Sequence, residues 1–179
     1  GEPVDDAKIF SITKALEAQM HNVILIGMPG SGKTTIGTLV AKRLGRTFVD
    51  ADSALEREAG MPIPEIFRRE GEAGFRRRET AVLAELGRQS GLVLATGGGS
   101  VTREENYPLL HQNGDIFCLQ RALERLPSAG RPVSQALGAQ TIYAQRKPLY
   151  ARFADAMIDN NGTPEAAAAQ ILEVLGCSC

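Results

Sequence analysis

The sequence has no tryptophan, only three cysteines and 5% aromatic residues, and its formal net charge is only −1. Three cysteines without an accompanying His or Cys cluster are too few for a disulfide framework or a zinc site. So small a net charge does not supply the sustained positive field that binding to a nucleic-acid backbone requires. No apolar stretch approaches the ~20 residues that a membrane helix needs. We therefore expect neither a nucleic-acid partner nor a membrane partner.

The amino-terminal segment also carries little information. Residues 1–6 are acidic and have no apolar core, so they do not resemble a signal peptide, and we expect a cytoplasmic protein. Residues 1–21 show one short amphipathic pattern, which predicts an accessory helix ahead of a single domain at residues 22–176. We expect a monomer, and Gly1 in place of a Met leaves open a fusion to another enzyme in the native chain.

Short apolar runs alternate with helical patterns along the rest of the chain. The predicted strands lie at about 23–26, 47–50, 92–95, 115–119 and 156–159, and the predicted helices at about 33–44, 53–70, 72–89, 103–111, after 121 and at 164–175. Apolar runs of four or five residues, separated by helices, are typical of buried parallel strands. Five such units predict an α/β fold with a three-layer, doubly wound, five-stranded parallel sheet. Ligands of such folds bind at the carboxyl ends of the strands.

The loop after the first predicted strand matches the phosphate-binding motif G-x-x-x-x-G-K-[ST] at every position, from Gly27 to Thr34. Its glycines allow backbone N–H groups to turn toward one anion, and the following helix adds its positive amino-terminal end. In this motif the lysine, Lys33, reaches the β/γ-phosphates, and the hydroxyl of Thr34 binds Mg²⁺. The candidate nucleotide-binding residues of this segment are Gly27, Gly30, Ser31, Gly32, Lys33, Thr34 and Thr35.

The motif alone does not separate a kinase from a GTPase or an ATP-driven motor. A GTPase needs an Asn-Lys-x-Asp motif to recognise the base, and the sequence contains none. A motor needs a longer chain. A short chain with Asp50 and Asp52 after its second strand favours a small-molecule kinase, because an aspartate in such enzymes orients or deprotonates the attacking hydroxyl. In an extended segment these two side chains project to the same side, although Asp52 is also a good candidate to cap the next helix.

Three further segments carry candidate functional residues. The third strand ends in a glycine run, 97–99, which permits a ligand to approach the backbone or forms a flexible turn. Arg76 and Glu79 lie three residues apart on one helix face, so we expect Glu79 to orient Arg76. The segment 127–139 is rich in Gly, Pro and Ser, as lids are, and Arg131 on a closing lid would stabilise phosphoryl charge. Taken singly, Arg131 and Arg146 would more often be surface residues.

Together these residues resemble the shikimate kinase family, over about residues 22–175. The resemblance rests on the phosphate-binding loop, Phe48–Asp52, Gly71-Glu72 with Phe75-Arg76-x-x-Glu79, the run Gly97–Gly99, Arg131-Pro132, and Arg146 ahead of Pro148-Leu149-Tyr150. It implies a P-loop kinase fold similar to the nucleoside monophosphate kinases, with a lid. It also implies transfer of the γ-phosphate of MgATP to the 3-hydroxyl of shikimate.

The resemblance further implies a role for each residue on the acceptor side. Asp52 would bind the ring hydroxyls of shikimate and act on the attacking one. Arg76 and Arg146 would hold its carboxylate, and two arginines can pair with one carboxylate. Gly98 and Gly99 would contact the ring, and Glu79 would hold Arg76 in place.

On the nucleotide side, the resemblance implies that Asp50 acts on Mg²⁺ together with Thr34. Lys33 and Arg131 would stabilise the transferred phosphoryl group. Arg125 would contact the nucleotide near its adenine, although it lies six residues before Arg131 where the family has seven.

Two other functions remain open from the sequence. One is a kinase of the same fold for another small hydroxylated acid such as gluconate. The other is a nucleotide-binding module of a fused enzyme, which the unusual amino terminus suggests. The presence of Lys33, Asp52 and Arg131 argues against a silent module.

Overall fold

The computed structural model describes the backbone of residues 5–126 and 133–177, and the side chains of these residues except those at positions 18 and 133–137. Arg131 and most of the predicted lid lie outside this part. The strands in the described residues are β1 Asn22–Ile26, β2 Thr47–Asp50, β3 Leu92–Ala95, β4 Gly114–Gln120 and β5 Ala156–Asp159. The α-helices are α1 Asp6–Met20, α2 Lys33–Leu44, α3 Ala51–Ala59, α4 Ile63–Arg88, α5 Asn106–His111, α6 Val133–Phe153 and α7 Pro164–Val174. Two single 3₁₀ turns lie at Ser100–Thr102 and Leu123–Arg125.

The described strands form one parallel sheet with the order β2-β3-β1-β4-β5. The two central strands β1 and β3 are buried at every position, as their continuous apolar sequences predict. The edge strands β2 and β5 are partly exposed. The predicted five-stranded parallel sheet is therefore confirmed.

Side chains alternate between the two faces of the sheet and build a separate core on each face. Val23 and Leu25 of β1 pack with residues of α2 and α7, whereas Ile24 and Ile26 pack with residues of α3 to α6. Helices thus cover both faces, and the predicted three-layer arrangement is confirmed.

The helix boundaries differ from the sequence prediction in three places. The predicted helix at 53–70 is wrong: α3 ends at Ala59, before the left-handed Gly60 (φ 65°), and α4 begins after Pro62. The predicted break near residue 71 is confirmed as a kink within α4, where Gly71 adopts a non-helical φ of 66° and ψ of −176° between two helical stretches. Helix α5 begins at Asn106 rather than near 103, and α6 already includes residues 133–139 of the predicted lid.

Helix α1 occupies residues 6–20 of the predicted amino-terminal extension, outside both cores. Its apolar side chains are about half exposed, at 47% for Ile9, 52% for Ile12 and 53% for Leu16. The end of α1 is tied to the sheet by backbone contacts, with the Gly91 N–H donating to the Met20 carbonyl at 2.8 Å. None of the described helices combines the length and the apolar character needed to cross a membrane.

Gly87 permits the close approach of α4 and α5. A Cβ built on Gly87 would collide with the carbonyl oxygen of Leu109. We therefore expect Gly87→Ala to lower the free energy of unfolding by about 1–3 kcal/mol, the usual cost of overpacking. Gly138→Ala is the control, because a Cβ there meets no described atom within 4 Å. It should be neutral or stabilise the helix. Urea denaturation of both variants measures the difference, and equal stabilities would contradict the packing constraint.

Candidate active site

The candidate residues gather at the carboxyl edge of the sheet, as the fold predicts. The phosphate-binding loop follows β1, Asp50 ends β2, the glycine run follows β3, and Asn160 follows β5. Helices α4 and α6 bring Arg76 and Arg146 to the same edge. All the chemistry expected from the sequence, apart from Arg131, therefore falls on one side of the described structure.

The phosphate-binding loop has the backbone geometry of an anion cradle. Gly27, Gly30 and Gly32 all adopt positive φ angles, of 147°, 78° and 97°. A side chain at Gly27 would also meet the Leu119 carbonyl oxygen at 2.8 Å. Gly32 is the N-cap of α2 and has no side chain that could cap the helix. The first N–H groups of α2 are therefore available to bind an anion. Thr35 lies exposed in the first turn of this helix.

Lys33 points back into the loop. Its Nζ donates hydrogen bonds to the carbonyl oxygens of Gly27 and Met28, each at 2.9 Å. Burial lowers the pKa of Lys33 to about 8, although the charges of Asp52 and Asp50 oppose this shift. The ammonium is therefore held at the place where phosphate charge would arrive, and it loses its proton more readily than an exposed lysine does.

The loop after β5 supports the phosphate-binding loop. Asn160 is buried, and its Nδ2 donates to the Ser31 carbonyl at 2.6 Å. The Ser31 hydroxyl is buried and has no hydrogen-bond partner among the described residues. Arg125 donates to the Asn161 carbonyl, which places its guanidinium beside the same loop. Sequence reasoning missed Asn160, since a lone asparagine after a strand carries no motif.

Thr34 and Asp50 form an oxygen-rich pair. The Thr34 hydroxyl lies 3.3 Å from Asp50 Oδ2, at the open end of α2. Hydroxyl and carboxylate oxygens are suitable ligands for Mg²⁺, directly or through its waters. The pair therefore fits the metal that the sequence predicts here.

The two aspartates have different local roles from those the sequence suggested. Asp50, not Asp52, caps α3, because its Oδ1 accepts a hydrogen bond from the Ser53 N–H at 3.1 Å. The expectation that both side chains project from one extended segment is also wrong, since Asp52 lies in the first turn of α3. The cap at Asp50 leaves the Asp52 carboxylate free to face the cleft.

Asp52 and Glu79 flank the α-carbon of Gly97. A Cβ built on Gly97 would lie 2.9 Å from Asp52 Oδ1 and 2.8 Å from Glu79 Oε1. Burial raises the pKa of Asp52 to about 6, and the charges of Asp50 and Glu79 add to the shift, while Lys33 and Arg76 oppose it. A carboxyl group with this pKa is mostly ionised at pH 7 and can still take up a proton.

Glu79 orients Arg76, as the sequence predicted. Glu79 is 2% exposed, and its Oε2 accepts a hydrogen bond from Arg76 Nη1 at 2.6 Å. The Arg76 side chain is 13% exposed, and its guanidinium fills the space that a side chain at Gly99 would occupy. Arg76 Nε and Glu79 Oε1 are buried without hydrogen-bond partners among the described residues. Arg76 Nε also lies 3.7 Å from Glu72 Oε1, an ion-pair distance, and a polar ligand could supply the missing hydrogen bonds.

Arg146, on α6, also lies near the glycine run. It lies one helical turn before Tyr150, interacts with the Tyr150 hydroxyl, and contributes to lowering the pKa of Lys33. Tyr150 in turn donates a hydrogen bond to the Gly98 carbonyl at 2.6 Å. Arg76 and Arg146 therefore face the same part of the cleft. Sequence analysis used Tyr150 only as part of the family resemblance and gave it no role.

Chemically, the cleft joins an anion cradle to a polar acceptor pocket. The cradle holds an ammonium and an oxygen-rich pair, and the pocket holds the Asp52 carboxylate together with the guanidiniums of Arg76 and Arg146. This arrangement suits transfer of a phosphoryl group from a nucleotide to the hydroxyl of a small acid.

Comparisons with known proteins point to one family. A family model described as shikimate kinase matches residues 29–176. A shikimate kinase from Parasynechococcus marenigrum (strain WH8102) is 44% identical over 165 residues, which cover 87% of this chain and 86% of that protein. One from Thiobacillus denitrificans (strain ATCC 25259 / T1) is 44% identical over 151 residues, covering 79% and 82%. The solved structure of shikimate kinase from Acinetobacter baumannii in complex with shikimate has a TM-score of 0.80 at 39% identity, covering 91% of this chain and 96% of that one.

The effect of the Glu79 charge should be measurable as a change in the pKa of Asp52. Glu79→Gln removes a negative charge that helps to raise the pKa of Asp52. We therefore expect this pKa to fall from about 6 toward the ordinary value of about 4. Carboxyl ¹³C NMR titration measures the change. Glu70→Gln, at an acid that pairs with Arg78 on the surface, is the control and should leave Asp52 unchanged. An equal response in both variants would contradict the proximity of Asp52 and Glu79.

Proposed function

The chain belongs to the shikimate kinase family, and we propose that its cleft transfers the γ-phosphate of ATP to the 3-hydroxyl of shikimate. The observation that carries this proposal is the convergence of Asp52, Arg76 and Arg146 on the glycine run beside the phosphate-binding loop. A cyclic acid with several hydroxyl groups matches the charges of this pocket. The products of the proposed reaction are shikimate 3-phosphate and ADP.

On the donor side, the N–H groups of the phosphate-binding loop and of the first turn of α2 bind the phosphates. Lys33 lies close enough to shift from the loop carbonyls to the β/γ-phosphates. Thr34 and Asp50 would hold Mg²⁺, which when bound neutralises charge on the phosphate oxygens. Arg131 on the lid and Arg125 near the adenine are proposed as further nucleotide contacts, from the family pattern.

On the acceptor side, Asp52 orients the attacking hydroxyl and accepts its proton. The pKa of about 6 suits this role, because the carboxylate is largely ionised at neutral pH and the low-polarity surroundings strengthen its attraction for a proton. Gly97 lacks a side chain, so the Asp52 carboxylate can lie directly against the backbone of the glycine run. The backbone of Gly98 and Gly99 forms the wall against which the ring lies.

The carboxylate of shikimate pairs with Arg76 and Arg146. Arg76 is held by its hydrogen bond to Glu79, so this side chain loses little freedom when the acceptor binds. Charge-assisted pairs of this kind discriminate strongly against acceptors that lack a carboxylate. Cytoplasmic location and the monomeric state remain predictions from the sequence.

A substrate panel tests the proposed reaction. With ATP and Mg²⁺ present, we expect ADP release to depend on shikimate and to be negligible with gluconate or with a shikimate analogue whose carboxylate is replaced by a hydroxymethyl group. Coupled ADP detection provides the rate, and ³¹P NMR identifies the phosphorylated product. Folded protein that turns over gluconate and not shikimate would overturn the substrate assignment and leave the kinase assignment intact.

Asp52→Asn should lower kcat by about 10²-fold or more, because the amide cannot accept the proton of the attacking hydroxyl. The Kd for ATP should change little, since Asp52 is not part of the phosphate cradle. In the wild type, kcat/KM for shikimate should fall below about pH 6, as Asp52 becomes protonated, and the variant should lose this acid limb. Steady-state kinetics from pH 5 to 9 measure both effects.

The matched control is Asp115→Asn. Asp115 lies at the amino-terminal end of β4, on the opposite edge of the sheet, and pairs with His21. Its replacement should leave both kcat and the acid limb unchanged. Near-normal turnover in Asp52→Asn would remove Asp52 from the mechanism.

A further inference from the structure

Tyr150 joins the core to the acceptor pocket. Tyr150 is only 3% exposed, and its ring packs in the core formed by α3 to α6. The hydroxyl reaches the carboxyl edge of the sheet, where it donates a hydrogen bond to the Gly98 carbonyl at 2.6 Å. A buried hydroxyl is nearly always hydrogen-bonded, so the groups around the Tyr150 hydroxyl indicate its structural role.

The Arg146 guanidinium lies near the same hydroxyl. Arg146 precedes Tyr150 by one turn of α6, and its charge, like that of Arg76, acts on the phenolic oxygen. Burial raises the pKa of Tyr150 to about 12, so the hydroxyl keeps its proton at neutral pH. While the hydroxyl donates to Gly98, its oxygen can still accept a hydrogen bond from Arg146.

Both groups belong to the acceptor side of the proposed site. Gly98 forms its backbone wall, and Arg146 is one of the two carboxylate-binding arginines. Without the hydroxyl, the ring would still fill its place in the core, but the hydrogen bond from α6 to the Gly98 carbonyl would be lost. The hydroxyl therefore contributes to the relative position of these groups and not to the packing of the core.

We propose that Tyr150 is a positioning residue for the acceptor, which fixes the Arg146 guanidinium and the Gly98 carbonyl relative to each other without touching the substrate. The inference rests on the proposed function, because it concerns affinity for the acceptor acid. It assigns the hydroxyl of Tyr150 to acceptor binding and not to ATP binding or to the chemical step.

Tyr150→Phe tests this role, because it keeps the ring and removes only the hydroxyl. We expect the KM for shikimate to rise about tenfold, on the scale of one hydrogen bond to a charged group, with the KM for ATP and kcat nearly unchanged. Tyr143→Phe is the matched control. Tyr143 lies on the same helix and lines the same pocket as Tyr150, but it has no place in the proposed site. Its replacement should change none of these constants.

A double-mutant cycle with Arg146→Ala separates positioning from general loosening of the fold. If Tyr150 acts through Arg146, the double variant should have nearly the same KM for shikimate as Arg146→Ala alone. Effects that multiply, an unchanged KM for shikimate in Tyr150→Phe, or an equal rise in the KM for ATP would each overturn the proposal. Near-UV circular dichroism checks that each variant is folded.

The assay of the wild type distinguishes a failure of the proposed function from a failure of the proposed role of Tyr150. Failure of the wild type to phosphorylate shikimate would overturn the proposed function. Turnover by the wild type, together with an unchanged KM for shikimate in Tyr150→Phe, would overturn only the role of Tyr150. Should the Phe variant not fold, Tyr150→Met carries the same cycle, because methionine fills irregular apolar space without restoring a hydroxyl.

Discussion

The site depends on the way the strand pairing of β1 and β3 continues past the end of β3. The backbone N–H and the hydroxyl of Thr96 both donate to the Leu25 carbonyl, at 3.0 and 3.2 Å. These bonds hold the chain beside β1 for one residue longer, and the glycine run therefore emerges next to the phosphate-binding loop. A parallel sheet with buried central strands leaves little freedom to shift this register, because a slip by one residue would exchange the side chains of the two cores.

A second constraint is the buried ion pair of Arg76 and Glu79. Removing one partner of such a pair typically costs about 3–5 kcal/mol, since the other charge is left without compensation. An apolar pair of similar volume would serve the core as well or better, so stability alone does not explain it. Here the pair keeps a guanidinium at the glycine run, next to Asp52. The two charges of the pair act on the pKa of Asp52 in opposite directions, Glu79 raising it and Arg76 lowering it.

Sequence reasoning predicted the features that have local or periodic signals. The phosphate-binding loop follows from its glycine spacing, the sheet from its apolar runs, and the Arg76–Glu79 pair from its three-residue spacing on a helix. The break between α3 and α4 at Gly60 was missed, whereas the predicted break at Gly71 is present as a kink within α4. The cap at Asp50 could not be separated from a cap at Asp52 without knowing where β2 ends. The contacts of Tyr150 with Gly98 and of Asn160 with Ser31 join residues far apart in sequence, and no pattern in one sequence announces them.

The close packing of Gly98 on Pro29 has a consequence for both ligands. A Cβ on Gly98 would lie 2.6 Å from Pro29 Cδ, so the wall of the acceptor pocket rests directly on the phosphate-binding loop. Because the two loops are in direct contact, a displacement of one would displace the other. If filling one half of the cleft moves its loop, the contact would alter the free energy of filling the other half, and by reciprocity the effect would be equal in both directions. A substitution at this contact would then change the affinities for donor and acceptor together.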